Sequence, residues 1–288
     1  MRMMVNFAEG LRDYGFLRNA LITATLIGII SGVIGCFIIL RGLSLMGDAI
    51  SHAVLPGVAA SYMLGMNYFI GASCLGLAAA LLIGFISDKS KLKNDTAIGI
   101  VFSAFFALGI IMISFAKSAT DLYHILFGNV LAVRAADIKI TVIVGIVVML
   151  FIVLFYKELK ISSFDPTMAR AGGLNTTVIH YALMFMLTLV AVSALQTVGT
   201  VLVIAMLITP AATAYMLTDK LSHMIFLSAG FGAAAAVIGL FFSYSYNLAS
   251  GAAIVLTCAA FFILAFLFSP RKGILWTRKE IEEYEAIN

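Results

Sequence analysis

The sequence predicts an all-α polytopic membrane protein, and three observations carry that prediction. Of the 288 residues, 62% are hydrophobic and only 11% are charged, against about 25% charged in soluble domains. A large soluble helical domain is excluded because too little polar surface exists to cover it. The apolar residues also fall into separate segments, most close to the roughly 20 residues that cross a bilayer as a helix. Finally, basic residues cluster in short runs between those segments, as membrane flanks do. The formal net charge of +4 therefore reads as flanking charge and gives no sign of a nucleic-acid partner.

The elements follow in order. Residues 1–18 form an N-terminal segment without a continuous apolar core, so no cleavable signal peptide is expected and the first apolar helix is retained. The membrane domain is expected over 19–268, with nine candidate spans at 19–40, 50–66, 69–87, 96–116, 136–156, 177–196, 198–218, 222–243 and 249–268. The first carries Gly28 and Gly32 in a GxxxG spacing, and the eighth carries FGAAAAVIG at 231–239; both read as close helix contacts rather than chemistry. The second is short and starts inside GDAISHAVLPG at 47–57, so its helix starts deeper or is broken. Segment 118–134 holds Asp121, His124, Gly128, Asn129 and Arg134, which suits an interfacial or re-entrant element better than a span. Pro210, in VLVIAMLITPAATAY, cannot donate a backbone hydrogen bond and is expected to kink the seventh span. That kink could serve a gate or simply fix packing geometry.

Charge orients the chain. Arg41, Lys89, Lys91, Lys93, Lys157, Lys160, Lys220, Arg271 and Lys272 all fall on one side if nine spans cross, and that side is cytoplasmic by the positive-inside rule. The N-terminus is then outside, and the tail at 269–288 is inside. The loop at 157–175, KELKISSFDPTMARAGGLN, has its own pattern. Asp165-Pro166 can start a short helix, Met168, Ala169 and Ala171 give it a small apolar face, and Gly172-Gly173 would stop it. Such a helix either docks into another protein or lies at the surface as a capped linker.

Asp48 and His52 are the main candidate site. They lie four apart and share one face of a helix. Ionisable residues at membrane depth are costly and mark pathways or partners. A carboxylate and a neutral imidazole together suit a borderline divalent metal; the bland alternative is a buried pair that braces the bundle. Ser51 adds a hydroxyl on another part of the helix surface, and Pro56 and Gly57 can interrupt the helix, as discontinuous membrane helices do at ion sites. The pair supplies at most three ligand atoms, so further ligands come from water, a second copy or another span. Met206, Thr209 and Asn247 are candidates there, and Met206 and Thr209 could equally be core filler. The three cysteines, Cys36, Cys74 and Cys258, form no CxxC pair, which supports neither a disulfide scaffold nor a thiolate cluster. No GxxxxGK[ST] phosphate loop, GxSxG or HExxH is present.

Five ordered stretches carry a resemblance: LRGLSLMGDAISHAVLPGVA at 40–59, AIGIVFSAFFALGI at 97–110, HILFGNVLAV at 124–133, FDPTMARAGGL at 164–174 and VGTVLVIAMLITPAATA at 198–214. Over about 15–270 the chain resembles the ABC-3 family, the membrane permease subunits of bacterial ABC transporters for manganese, zinc or iron. The resemblance implies a compact importer permease bundle of about nine transmembrane helices in the cytoplasmic membrane. It implies a non-catalytic subunit with no permanently bound cofactor, paired with a second copy of itself. Two cytoplasmic ATPase subunits would power it, and an extracytoplasmic metal-binding lipoprotein would deliver the ion. By the same resemblance Asp48 and His52 line the metal path. Phe164, Asp165, Pro166, Ala169, Gly172 and Gly173 belong to the segment that meets the ATPase. One carboxylate and no plausible thiolate disfavour a strictly thiophilic metal; together with the resemblance this orders the metals as manganese, then iron, then zinc. A proton-coupled transporter using Asp48 and His52, an intramembrane acid–base enzyme and a purely structural subunit are the rival readings.

Overall fold

The structure, a computed structural model, describes residues 2–90, 92–115, 130–270 and 272–274. Among the described residues all regular structure is helical. A short helix α1 (Arg2–Asp13) precedes α2 (Gly15–Leu40), which starts before the expected residue 19. Two half-length helices follow, α3 (Leu45–Ala53) and α4 (Leu55–Leu64), then α5 (Tyr68–Lys89) and α6 (Asn94–Phe115). A 3₁₀ turn (Val130–Ala132) leads into α7 (Ala135–Leu154), which continues through α8 (Tyr156–Phe164) and α9 (Pro166–Ala171). The chain ends in α10 (Thr176–Val198), α11 (Thr200–Leu217), α12 (Leu221–Tyr246) and α13 (Ser250–Phe268). Most of the segment expected to be re-entrant, with Asp121 and His124, lies outside the described residues, as does the tail from 275.

Eight of these helices, α2, α5, α6, α7, α10, α11, α12 and α13, are long and apolar enough to cross a membrane. The expected second span is the broken one. Nine or ten residues rise roughly 14–15 Å, about half of a ~30 Å hydrocarbon core, so α3 and α4 together have the length of one pass. The break falls at Val54, between the two helices. Pro56, in the first turn of α4, cannot donate to the His52 carbonyl four residues back, and its ring crowds that carbonyl.

Small residues decide how the bundle closes. α2 is the most enclosed of the long helices and packs most extensively on α12. A Cβ at Gly28 would come within 2.5 Å of the Gly232 carbonyl oxygen, and one at Gly32 within 2.8 Å of that of Ser228. The two small-residue stretches noted in the sequence are therefore the two sides of one contact. The Ser228 hydroxyl donates to the Gly32 carbonyl across it at 2.7 Å; such interhelical bonds contribute about 1 kcal/mol in membranes. Gly57 does a similar job between α4 and α5, where a Cβ would collide with the Gly71 carbonyl oxygen. The helix α11 stays helical through the buried Pro210. α1 lies on α12, with Phe7 edge-on to Phe241 and Tyr244 at 5.5 and 5.8 Å between ring centroids.

The polar ends gather on one side. Residues from the ends of α2 and α5, the starts of α6 and α10, and α8–α9 all line one cavity of about 320 Å³. Lys272, beyond α13, reaches back to the α11–α12 turn, pairing with Asp219 at 3.3 Å and donating to the Tyr215 carbonyl at 3.2 Å.

Candidate metal site

Helix α3 presents Asp48 and His52 one turn apart. His52 Nε2 lies 3.4 Å from Asp48 Oδ1. That is too long for a strong hydrogen bond. Two ligands of one ion, each about 2.1–2.2 Å from it, are about 3.0–3.6 Å apart at octahedral to tetrahedral angles, so the pair already has the spacing of a two-residue clasp. Asp48 keeps 43% of its side chain exposed and His52 keeps 26%, which leaves room for further ligands. Nδ1 of His52 is buried without a hydrogen-bond partner among the described residues. Its ring is held instead by two aromatic edges from α6, Phe102 at 5.6 Å and Phe106 at 5.5 Å, both T-shaped. These phenylalanines fix the ring plane without taking up either nitrogen. Their own stacking at 5.7 Å follows from the i,i+4 spacing, the signal by which the sequence could have flagged them. A Cβ at Gly109 would come within 2.7 Å of Leu55 Cβ, so α6 can lie close against the break.

The other sequence candidates divide. Ser51 is buried, and its hydroxyl donates to the Gly47 carbonyl at 2.8 Å. Met206 is fully buried in α11, next to Leu207, whose Cδ1 would lie 3.2 Å from a Cβ on Gly47; α11 thus meets α3 on its glycine side. The Thr209 carbonyl accepts from the Thr213 hydroxyl at 2.7 Å. Asn247 is exposed and ends α12 with φ 53° and ψ 44°, a left-handed cap that asparagine tolerates better than most residues. None of these side chains hydrogen-bonds to Asp48 or His52 among the described residues. Nor do the described residues contain any cluster of three or more His, Cys, Asp or Glu able to hold an ion.

The second candidate element is α9. Asp165 Oδ1 accepts from the backbone N–H groups of Thr167 at 3.0 Å and Met168 at 2.9 Å, with Pro166 in the first turn. Gly172 N–H donates to the Met168 carbonyl, Gly173, at φ +82°, to that of Arg170, and Leu174 to that of Ala169, at 2.9–3.0 Å. Both ends of the helix are therefore satisfied within the loop. Its apolar surface differs from the expected one. Ala169 is buried, 1% exposed, because it faces the chain's own bundle, while Phe164 and Met168 are 55% and 67% exposed. A sequence pattern over six residues cannot tell which side of so short a helix the bundle covers.

Arg41, flagged in the sequence only as a flank charge, follows α2. Its Nε donates to Ser163 Oγ at 3.0 Å and its Nη2 to Ser162 Oγ at 2.7 Å. Burial without a carboxylate partner pushes its guanidinium down to about 10, so it stays charged at neutral pH.

The five motifs, the broken α3–α4 pair and the capped α9 can now be set beside known proteins. The model of the ABC 3 transport family matches residues 13–269. The chain belongs to that family. It is 68% identical over 274 residues to "Manganese transport system membrane protein MntC" of Listeria innocua, covering 95% of this chain and 98% of that one. It is 57% identical over 273 residues to "Manganese import system permease protein ScaB" of Streptococcus gordonii, with the same coverage. A solved structure described as "PsaBC from Streptococcus pneumoniae in complex with Fab" matches with a TM-score of 0.87 at 56% identity, over 96% of this chain and 99% of that one. As an ABC-3 member the chain is a membrane permease, and its long helices make it a multi-pass one.

Proposed function

We propose that this permease is the translocation subunit of an ATP-driven importer of Mn²⁺. The observation that carries the reading is the Asp48–His52 clasp on a broken helix, 3.4 Å between ligand atoms and partly open, in a chain 57–68% identical to proteins named for manganese transport or import. A carboxylate and an imidazole suit an ion of intermediate hardness. Their small number suits cargo that must leave again. Two carboxylate oxygens and one ring nitrogen do not fill a coordination shell, so the remaining ligands come from water and from a second copy of the chain.

In this reading Phe164 at the end of α8 and Met168 on α9 meet a cytoplasmic ATPase, and an extracytoplasmic lipoprotein delivers the ion on the opposite side. The gathered polar ends form the cytoplasmic face, and the N-terminus lies outside. Arg41, one of the basic flank charges, lines the cavity at these gathered ends, which supports that orientation.

The test is metal competition in vesicles holding the permease with its ATPase and binding protein. Expected is ATP-driven uptake of Mn²⁺ that excess Zn²⁺ or Fe²⁺ does not displace. Uptake dominated by iron or zinc would overturn the metal. Uptake driven by a proton gradient without ATP would overturn the energy source.

A further inference from the structure

Arg41 stands between the two elements just described. It caps α2, and four residues later α3 begins, carrying Asp48. Its side chain reaches the other way, to Ser162 and Ser163 in the last turn of α8, directly before Asp165 caps α9. One planar guanidinium thus ties the root of the docking helix to the linker that feeds the metal helix, across about 120 residues of chain.

The linker is short and held at both ends. Gly42 turns the chain at φ +66°, Leu43 N–H donates to the Ile38 carbonyl at 3.0 Å, and Met46 N–H donates to the Leu43 carbonyl at 2.9 Å. Leu43 and Met46 are both buried. A shift of the Arg41 backbone is therefore passed to α3 rather than absorbed in slack loop.

The partners of the half-buried Arg41 among the described residues are neutral hydroxyls, with no carboxylate among them. Bonds to hydroxyls hold it less tightly than a bidentate carboxylate would, so they can be exchanged. The cavity of about 320 Å³ beside Arg41 supplies the room and the alternative. Asp88, at the end of α5, is the carboxylate among the described residues of its lining. It accepts one long bond from the Tyr181 hydroxyl at 3.4 Å and forms no ion pair with Arg41. A second partner across the cavity would make Arg41 a two-state element, which is the physical requirement for coupling between distant sites.

We propose that Arg41 is the coupling joint of the transporter. Ser162 and Ser163 hold it in the state described here. When the ATPase displaces α9, Arg41 exchanges them for Asp88 across the cavity, and α3 moves its Asp48–His52 pair with the nucleotide cycle. The joint rests on the reading of α9 as docking element and of the pair as metal path, and adds a residue that neither reading requires.

The experiment measures Mn²⁺ imported per ATP hydrolysed by the full transporter in vesicles, comparing the native complex with R41K, S162A/S163A, D88N and R41K combined with S162A/S163A. R41K keeps the charge and loses the fork. Expected is co-purification of the ATPase with every variant and hydrolysis within about twofold of native. Import per ATP falls about tenfold in R41K and in the serine double variant. The combined variant is no worse than either, because both break the same bonds, and D88N falls although the serine bonds remain. An unchanged import-to-hydrolysis ratio in R41K and S162A/S163A would overturn the joint. So would losses that multiply in the combined variant, and so would loss of the ATPase from the complex, which would make Arg41 a mere shaper of the docking surface. A native complex that hydrolyses ATP and imports another metal but no Mn²⁺ would count against the proposed cargo instead; the same ratio, read with that metal, still decides the joint.

Discussion

Helices α3 and α9 are both short pieces set between long apolar ones, yet they treat their polar groups in opposite ways. On α9 the cap Asp165 takes two backbone donors and the Gly172–Leu174 turn closes the other end. On α3 the clasp is left open: among the described residues the polar atoms of Asp48 and His52 face only each other, at 3.4 Å, and Nδ1 of His52 has no hydrogen-bond partner. Under the proposed function the difference separates two tasks. An element that transmits force must keep its shape, so its polar groups are spent locally. A site for transient cargo must keep ligand positions vacant and bind weakly enough to release. Aromatic edges from Phe102 and Phe106 steady His52 without competing for its nitrogens.

This contrast can be broken from either side. The largest effect is expected at the open clasp. Asp48→Ala should reduce Mn²⁺ uptake by about 100-fold or more, since a transport site with so few ligands cannot spare its only carboxylate, while expression and association with the ATPase stay native. Native uptake by a well-assembled Asp48→Ala permease would remove Asp48 from the metal path. Next comes the exposed face of α9. Met168→Glu puts a charge on an apolar docking surface and should cut uptake about tenfold, a loss of roughly 1.4 kcal/mol in association, visible as weaker co-purification of the ATPase. Retained co-purification would place docking elsewhere.

Smaller effects sharpen the comparison. Asp165→Ala removes a cap worth about 1 kcal/mol, so uptake should fall only a fewfold and amide exchange at Thr167 and Met168 should quicken; unchanged exchange would show that Asp165 does not hold the helix. The smallest effect is expected at Asn247→Gly. Glycine accepts the left-handed cap at least as well, so uptake should stay within about twofold of native. A large loss there would mean that Asn247 binds the ion and that its cap geometry is incidental.

Much of this was legible in the sequence because the signals are local. Asp165-Pro166 and Gly172-Gly173 are cap chemistry, readable residue by residue. The i,i+4 spacing of Asp48 and His52 needs nothing but helix periodicity, and Pro56 warns of the break found at Val54. What stayed hidden depends on partners far along the chain. Phe102 and Phe106 are two of many phenylalanines until α6 folds against α3. Arg41 looks like any flanking charge until Ser162 and Ser163 reach it. Ala169 and Met168 are neighbours in sequence, and only packing against the bundle decides that one is buried and the other offered outward.

The sequence by itself determined that the chain lives in a membrane, where most of its long apolar helices run, that the second segment is interrupted and which pair of ionisable side chains shares one helix face. Those follow from hydrophobic length, helix periodicity and the missing N–H of proline, all properties of short stretches. The tertiary structure alone decided which glycine stretches meet, which aromatic edges steady His52, which face of α9 is free and what Arg41 holds. The glycine, aromatic and arginine contacts join segments fifty or more residues apart, and no local rule specifies any of these contacts: they exist only once side chains from separate helices share one space.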